Sequence, residues 1–337
     1  LERLDDEIET IGKDEKLVDA MLAAGKKLSS GDEPKLNFFG SYILAKLAAR
    51  NHKSESVIEF YRFALKARRN QAGLIFMELG RYLYLEKKFN EAADVFKEAA
   101  ADPAIEAAKA DYLLWLSRSQ EMAGDTKGAL DSLQEALKLQ PNHPELLFHE
   151  AWIYTHSRQW DEAIRKYEAL IARFPNEKEF QRRCLFSISN VHVQKGDMRA
   201  GEKILEDVLA KEGEDPSVNN DLGYLYADQG KNLEQAEKMI RKAVAAEPDN
   251  AAYLDSMGWV LFKLGKYEEA LPHLEKAISK PTGSDATIWE HLGDCYEKLN
   301  KADKAHEAYE KAIKDAKEDS RPDEKLIQRL EEKLKKK

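Results

Sequence analysis

The sequence predicts an all-α protein: a solenoid of about eight consecutive helix hairpins, with capping helices at both ends. Three observations support this fold class. Gly223, Gly258 and Gly293 recur at 35-residue intervals within apolar segments of helical periodicity. A second series of small residues, mostly alanine, follows these positions at a nearly constant distance. No stretch of the 337 residues alternates apolar and polar side chains for long enough to indicate a sheet.

Residues 1–33 do not follow the repeat and predict an N-terminal helical cap. Leu1, Leu4, Ile8 and Ile11 form an apolar stripe at helical spacing, and a second stripe follows it. Such a hairpin would cover the otherwise exposed end of the first repeat. At the opposite end, residues 321–337 combine an apolar face with a basic tip, and we predict a C-terminal capping helix there.

The repeats are predicted to occupy residues 38–319. With the small residue set at position 8, they start near residues 38, 73, 110, 144, 182, 216, 251 and 286. Position 8 on the first helix and position 20 on the second are small because the two helices cross there. A large apolar residue four positions after the second site, such as Phe96 after Ala92, fills the remaining space and contributes roughly 1.5–3 kcal/mol when buried. Glycines at 124, 196, 230 and 265 predict the turn between the two helices.

One segment carries a complete family signature. Trp289-x-x-Leu292-Gly293-x-x-Tyr296, followed by an Ala and a Tyr in the second helix, resembles the motif of the tetratricopeptide repeat (TPR) family. The resemblance extends over nearly the whole chain, and the style of the repeats is bacterial. It implies a right-handed α-α superhelix and a non-catalytic function in binding other proteins.

The resemblance also implies a binding surface. In this family the first helix of each pair lines a concave groove, and the groove positions can be carried onto this chain one by one. The side chains expected in the groove are Tyr42, Lys46, Met77, Arg81, Tyr84, Leu114, Arg118, Phe148, Trp152, Phe186, Asn190, Tyr224 and Trp259.

These positions predict a groove that is basic near its N-terminal end, aromatic in the middle and acidic near its C-terminal end. The acidic end comprises Asp255, Glu290, Asp294 and Glu297. Because arginine grips carboxylates bidentately and aromatic residues offer contact area, we expect a protein or peptide partner with acidic and apolar residues. The alternative is that the aromatic side chains pack between adjacent repeats and the charges are ordinary solvated surface.

Composition excludes several other functions. The formal net charge of −9 disfavours nucleic-acid binding, and no apolar run is long enough to span a membrane. The chain has no phosphate-binding glycine loop and no nucleophile motif, so we expect neither an enzyme nor a metal or other cofactor. Cys184 and Cys295 lie in different repeats and are expected to be free thiols.

The most direct interpretation is a scaffold that receives a peptide or helix of a partner protein in its groove. Two alternatives stay open: a self-assembling module that uses its convex face or its ends, and a regulatory repeat domain of a larger protein. The chain begins with Leu1 rather than Met, so we expect upstream residues that could hold a signal, an anchor or a catalytic domain. The sequence indicates a soluble protein of the cytoplasm or the periplasm without deciding between them.

Overall fold

The computed structural model describes residues 2–30, 35–67, 71–212, 215–280, 285–319 and 321–335. Within these ranges the chain forms nineteen α-helices and one 3₁₀ turn, and no strand. The predicted all-α class is confirmed. Leu1 and residues 31–33 of the predicted cap, and Lys336 and Lys337 of the predicted basic tip, lie outside the described residues; so does the side chain of Leu4.

The helices fall into two compact units, residues 1–157 and 158–337. The first unit contains one continuous apolar core, in which Phe60, Phe76 and Phe96 are fully buried. Its helices are α1 Glu2–Gly12, α2 Glu15–Ser29, α3 Phe38–Arg50, α4 Ser54–Ala67, α5 Ala72–Leu85, α6 Phe89–Ala100, α7 Lys109–Met122, α8 Thr126–Leu139 and α9 Pro144–His156, with the 3₁₀ turn Pro103–Ala108 before α7.

The second unit has its own core, centred on Leu222, Ile240, Leu274 and Tyr309. Its helices are α10 Trp160–Arg173, α11 Lys178–Lys195, α12 Met198–Glu212, α13 Pro216–Asp228, α14 Leu233–Ala246, α15 Ala251–Lys263, α16 Tyr267–Ile278, α17 Ala286–Lys298, α18 Ala302–Glu318 and α19 Glu324–Lys335. Near the start of this unit, Arg158 Nη2 donates to the carbonyl of Arg321 at 3.0 Å, so the segment before α19 contacts the turn before α10.

The turn inside each repeat has the same backbone geometry. In the described residues, a residue with positive φ recurs in the turn of each repeat, at the spacing that the sequence predicted: His52, Lys87, Gly124, Arg158, Gly196, Gly230, Gly265 and Asn300. The turn of the sixth repeat contains a second such residue, Asn232. Glycine adopts this left-handed conformation without a steric cost, which explains why four of the eight positions are glycine. The predicted role of these four glycines is confirmed.

The small residues at position 8 lie where two helices touch. A Cβ added to Gly80 would overlap the Phe96 ring, and one added to Gly258 would overlap the Leu274 side chain. Where the residue is serine, its hydroxyl bonds the crossing helix: Ser117 Oγ donates to the Ala129 carbonyl at 2.7 Å. The predicted reason for small residues at this position is therefore correct.

Candidate functional site

The second unit contains a pocket of about 630 Å³. Four successive first helices contribute most of it, namely α11, α13 and the N-terminal halves of α15 and α17, and Leu205 of the second helix α12 adds to the wall. Its lining residues are Phe186, Ser189, Asn190, Val193, Leu205, Asn220, Asp221, Tyr224, Leu225, Asn250, Ala252, Asp255, Ser256, Asp285, Thr287 and Ile288. The volume lies within the range of about 300–1,000 Å³ that is typical of ligand pockets.

Local sequence signals place the two helix ends in this wall. Asn250 caps α15 by accepting from the backbone N–H groups of Ala252 and Tyr253, at 3.0 and 3.3 Å. Asp285 caps α17 by accepting from Thr287 N at 2.8 Å. Short polar side chains at these positions satisfy backbone donors that have no partner within the helix. The caps therefore bring one amide and one carboxylate to the pocket.

Asn220 and Asp221 form the polar floor contributed by α13. Asn220 Nδ2 donates to Asp221 Oδ1 at 3.1 Å. Asn220 is only 6% exposed, and its Oδ1 has no hydrogen-bond partner among the described atoms. Burial raises the pKa of Asp221 to about 6, although the bond from Asn220 opposes that shift. A buried polar atom without a partner is costly, so a hydrogen-bond donor that reached this oxygen would be favoured.

Asp255 faces both the pocket and a buried histidine of the next repeat. His291 Nδ1 lies 2.9 Å from Asp255 Oδ1, and the His291 ring stacks on the indole of Trp259 at 3.9 Å. Burial by itself lowers the pKa of His291, but the carboxylate of Asp255 outweighs it and the net pKa is raised. Trp259 is buried by this stack and donates its Nε1–H to Asp228 at 3.3 Å.

The aromatic part of the pocket comes from Phe186 and Tyr224, both half-buried. The pKa of Tyr224 is raised, first by burial and then by the carboxylates of Asp255, Asp228, Asp285 and Glu290. Four carboxylates therefore act on this phenol, and the His291 ring lies 6.2 Å from the Tyr224 ring. Among the lining residues that the structure describes, none is a lysine or an arginine.

The predicted groove residues of the first unit are engaged differently. Tyr42 is buried and donates its hydroxyl to Glu78 at 2.7 Å, so it packs between adjacent repeats. Lys46 Nζ lies 5.7 Å from the centre of the Tyr42 ring. The side chains of Met77, Leu114 and Phe148 are half-buried.

Trp115 organises the basic part of this face. The guanidinium carbons of Arg81 and Arg118 lie 5.6 and 5.2 Å from its ring centre, within the range of cation–π contacts. Tyr84 packs edge-on against the same ring at 5.6 Å. The sequence identified both arginines and the tyrosine but not Trp115, which falls at position 6 and joins them.

Trp152 lies between two histidines of its own helix. Its ring stacks on His149 at 5.0 Å and on His156 at 5.2 Å. His149 is buried, with Nε2 3.1 Å from Ser117 Oγ. Since the single hydroxyl hydrogen of Ser117 is donated to Ala129, Nε2 of His149 carries the hydrogen of that bond. Burial, reinforced by Arg118, lowers the pKa of His149 to about 3.

The acidic C-terminal end of the predicted groove is partly neutralised by the chain itself. Arg329 on α19 binds Glu290 through two bonds of 2.7 Å, and Lys333 donates to Glu290 and to Asp294 at 2.7 and 2.6 Å. Burial alone would raise the pKa of Glu290, but these two cations lower it. The carboxylates that remain in the pocket are those of Asp221, Asp255 and Asp285.

Four residues of the predicted groove meet in the pocket: Phe186, Asn190 and Tyr224, and Asp255 of its predicted acidic end. The predicted groove did not include the other polar lining residues Asn220, Asp221, Asn250 and Asp285. Two signals could have found them. Positions 5 and 6 of the sixth and seventh repeats are unusually polar, and an Asn or Asp precedes the first helix of the seventh and eighth repeats.

No group of three or more His, Cys, Asp or Glu side chains in the described ranges could hold a metal ion. Within the same ranges, no helix combines the length and the apolar character needed to cross a bilayer.

Comparison with known proteins reveals relatives of the same architecture. The chain is 29% identical over 173 residues to a TPR repeat-containing protein of Pseudomonas aeruginosa, a match to 51% of this chain and 28% of that protein. It is 27% identical over 167 residues to cellulose synthase operon protein C of Pseudomonas fluorescens, a match to 48% of this chain and 13% of that protein. The matched region thus spans less than a third of either relative.

Solved structures show the same fold. The crystal structure of a tetratricopeptide repeat protein from Parabacteroides merdae aligns with a TM-score of 0.52 and 18% identity, covering 79% of this chain and 98% of that one. Two family models described as "Tetratricopeptide repeat" match residues 256–321, and residues 122–182 and 192–259, which together make up more than half of the sequence. The chain therefore belongs to the tetratricopeptide repeat family.

Proposed function

We propose that this protein is a non-catalytic interaction scaffold that binds an extended or helical segment of a partner protein in the pocket of its second unit. Tetratricopeptide repeats generally mediate protein–protein interaction. The observation that carries the proposal is the convergence of four successive first helices on one pocket with both aromatic and amide walls.

The chemistry of the walls suits a peptide. Phe186 and Tyr224 offer half-buried aromatic surface, the kind that anchors protein contacts. Asn190 is exposed at the pocket and Asn220 is buried at its floor. An amide side chain both donates and accepts, so it can pair with the N–H and C=O groups of a peptide backbone.

Selection from a library of displayed random peptides tests this proposal. Ala252 is exposed at the pocket, so Ala252→Trp fills the site without disturbing the core. Ala245→Trp, on the second helix α14, is the matched control because Ala245 is exposed and does not line the pocket. We expect selected peptides to bind the wild-type chain and Ala245→Trp equally, and Ala252→Trp at least tenfold more weakly. Equal binding to the filled variant, or no selected peptide at all, would count against the proposal.

The basic face of the first unit is proposed as a second contact, for acidic and apolar residues of the partner. Arg81 and Arg118 flank one tryptophan, so a carboxylate and an apolar side chain could bind side by side. The double charge reversal Arg81→Glu with Arg118→Glu should deplete peptides rich in Asp and Glu from the selection and leave the circular dichroism melt unchanged. The contact is wrong if the double variant retains the same peptides.

Two other functions stay as alternatives. The matched relatives are much longer than the matched region, which favours a repeat domain within a larger protein. Self-association through an end or a convex face would appear in light scattering as a stable dimer. Peptide binding would then compete with formation of that dimer.

A further inference from the structure

We infer that the pocket of the second unit binds the cationic side chain of a lysine or an arginine of the partner protein. This inference rests on the proposed function and narrows it to a basic residue in the bound segment. It differs from the acidic residues expected to bind the first unit, so the two units would recognise residues of opposite charge.

The first support is the charge of the walls. Asp221, Asp255 and Asp285 line the pocket, and no lysine or arginine is among its described lining residues. Asp255 is shared with His291, whereas Asp221 accepts a side-chain hydrogen bond from the Asn220 amide and Asp285 accepts one from a backbone N–H. Three carboxylates beside one imidazole leave the walls net negative, and a negative pocket with low-dielectric walls concentrates positive charge.

The second support is independent of the carboxylates. Asn220 lines the pocket, is more than nine-tenths buried, and leaves its amide oxygen without a partner among the described atoms. An ammonium or guanidinium group has only donors to offer, whereas the amide oxygen and the carboxylates only accept. A cationic guest therefore matches the carboxylates that line the pocket, which an acidic or apolar guest would not. The Asn220 oxygen is closed to solvent in this structure, so the guest reaches it only after a rotation of that amide.

The third support is that the chain already uses this chemistry on itself. Glu290 and Asp294 of the eighth repeat are bound by Arg329 and Lys333 of α19, and Lys333 Nζ also lies 5.5 Å from the centre of the Tyr309 ring. Asp255 occupies in the seventh repeat the position that Glu290 occupies in the eighth. Tyr224 provides an aromatic ring in the open pocket, as Tyr309 does at the filled site.

Methyl NMR with small probes tests the inference directly. Ile288 lines the pocket, so its δ1 methyl group reports occupancy. The probes are N-acetyl-lysine methylamide and N-acetyl-arginine methylamide, compared with the norleucine and glutamate analogues, which are neutral and negative. We expect the two basic probes to shift the Ile288 signal saturably, and the norleucine analogue to bind at least tenfold more weakly.

Variants separate specific recognition from general attraction. Asp221→Asn should weaken the basic probes at least tenfold, whereas Asp207→Asn removes the same charge from an exposed position on α12 and should leave binding unchanged. A circular dichroism melt of both variants establishes that they are folded. The inference is overturned if norleucine binds as well as lysine, if Asp221→Asn has no effect, or if no probe shifts Ile288 at tens of millimolar.

The outcomes also distinguish this inference from the proposed function. Selected peptides could bind only the open pocket and still bind after every lysine and arginine is replaced by norleucine. That result would contradict this inference and support the proposed scaffold function. Basic probes that bind when no peptide is selected would support this inference and contradict the proposed scaffold function. Spermidine binding more tightly than any lysine-containing peptide would overturn a protein side chain as the guest.

Discussion

Two histidines at the same repeat position carry opposite electrostatic environments in the two units. His149 and His291 both occupy position 6 of their repeats, and both are at least 95% buried. His149 bonds the hydroxyl of Ser117 in the preceding repeat and has Arg118 nearby, so its pKa falls to about 3. His291 bonds the carboxylate of Asp255 in the preceding repeat, which raises its pKa despite burial.

The comparison teaches that the repeat fixes where a side chain lies and the neighbouring repeat fixes its charge. The first helices of the first unit combine neutral hydrogen bonds with arginines that lie against Trp115. In the second unit, the first helices and their N-caps bring three carboxylates to a pocket. The same backbone geometry therefore supports surfaces of opposite sign.

The largest contrast should appear in the titration of the two imidazoles. We expect NMR of the histidine side chains to find His149 neutral down to about pH 3 and His291 still protonated above 6.5. Asp255→Asn removes the carboxylate that raises the pKa of His291, so that pKa should fall while that of His149 stays the same. Equal titration of the two rings in the wild-type chain would break the comparison.

The stability of the first unit should depend on His149 in acid. Its folded pKa lies below the unfolded value, so its contribution is present above pH 6.5 and is lost as the pH falls toward 3. At pH 4 the loss is about 3 kcal/mol, from 1.36 kcal/mol for each pKa unit. His149→Gln should remove that part of the pH dependence in denaturant titrations at pH 7 and pH 4. His291 has the opposite sign: its contribution is present below 6.5 and is lost as the pH rises through its folded pKa.

Alanine in place of glycine at the close helix crossings should destabilise both units to a similar extent. Gly80→Ala places a methyl group against Phe96, and Gly258→Ala places one against Leu274. Each should lower the free energy of unfolding by about 1–3 kcal/mol, as overpacking does. Gly73→Ala, also within α5, is the milder control because its Cβ would approach Tyr112 Oη to 3.2 Å, a tight contact that a small shift relieves, whereas Gly80 and Gly258 would meet a side chain at 2.4 Å. If Gly80→Ala lowered the free energy of unfolding no more than the control does, the helix crossing would not be the reason for a small residue at position 8.

The smallest effect should come from the turns. Lys87 in the first unit has a φ of 58° and Gly265 in the second has a φ of 77°. Because the left-handed conformation costs a residue with a Cβ roughly 1–2 kcal/mol, Lys87→Gly should stabilise and Gly265→Lys should destabilise, each by about 1 kcal/mol. Thermal melts of the two variants measure this exchange. If the melting temperature changed in the same direction in both variants, side-chain contacts rather than the backbone φ would determine the stability of these turns.

Much of the fold could be predicted because its determinants are local and periodic. The spacing of Gly258 and Leu274 predicts a helix crossing, and Gly265 predicts a turn. The candidate site was only partly predictable. Phe186, Asn190 and Tyr224 follow from repeat positions, but Asp255 and Glu290 look equivalent in sequence. Only the structure reveals that Arg329 and Lys333 bind the Glu290 carboxylate. It also reveals that the hydrogen bond to the Asp221 carboxylate comes from Asn220 and that, among the described residues, no lysine or arginine contacts it.

The sequence by itself determined the repeat, its register and the residues that allow two helices to touch. It could do so because close contact between two helix backbones requires small side chains at fixed intervals, and those intervals can be read directly from the sequence. The tertiary structure decided which carboxylates are neutralised, which aromatic rings are buried and where a pocket stays open. Those properties depend on pairs of side chains 30 to 40 residues apart, such as Asp255 with His291 and Glu290 with Arg329. Whether the members of such a pair meet is a matter of distance in space, which spacing along the chain does not fix.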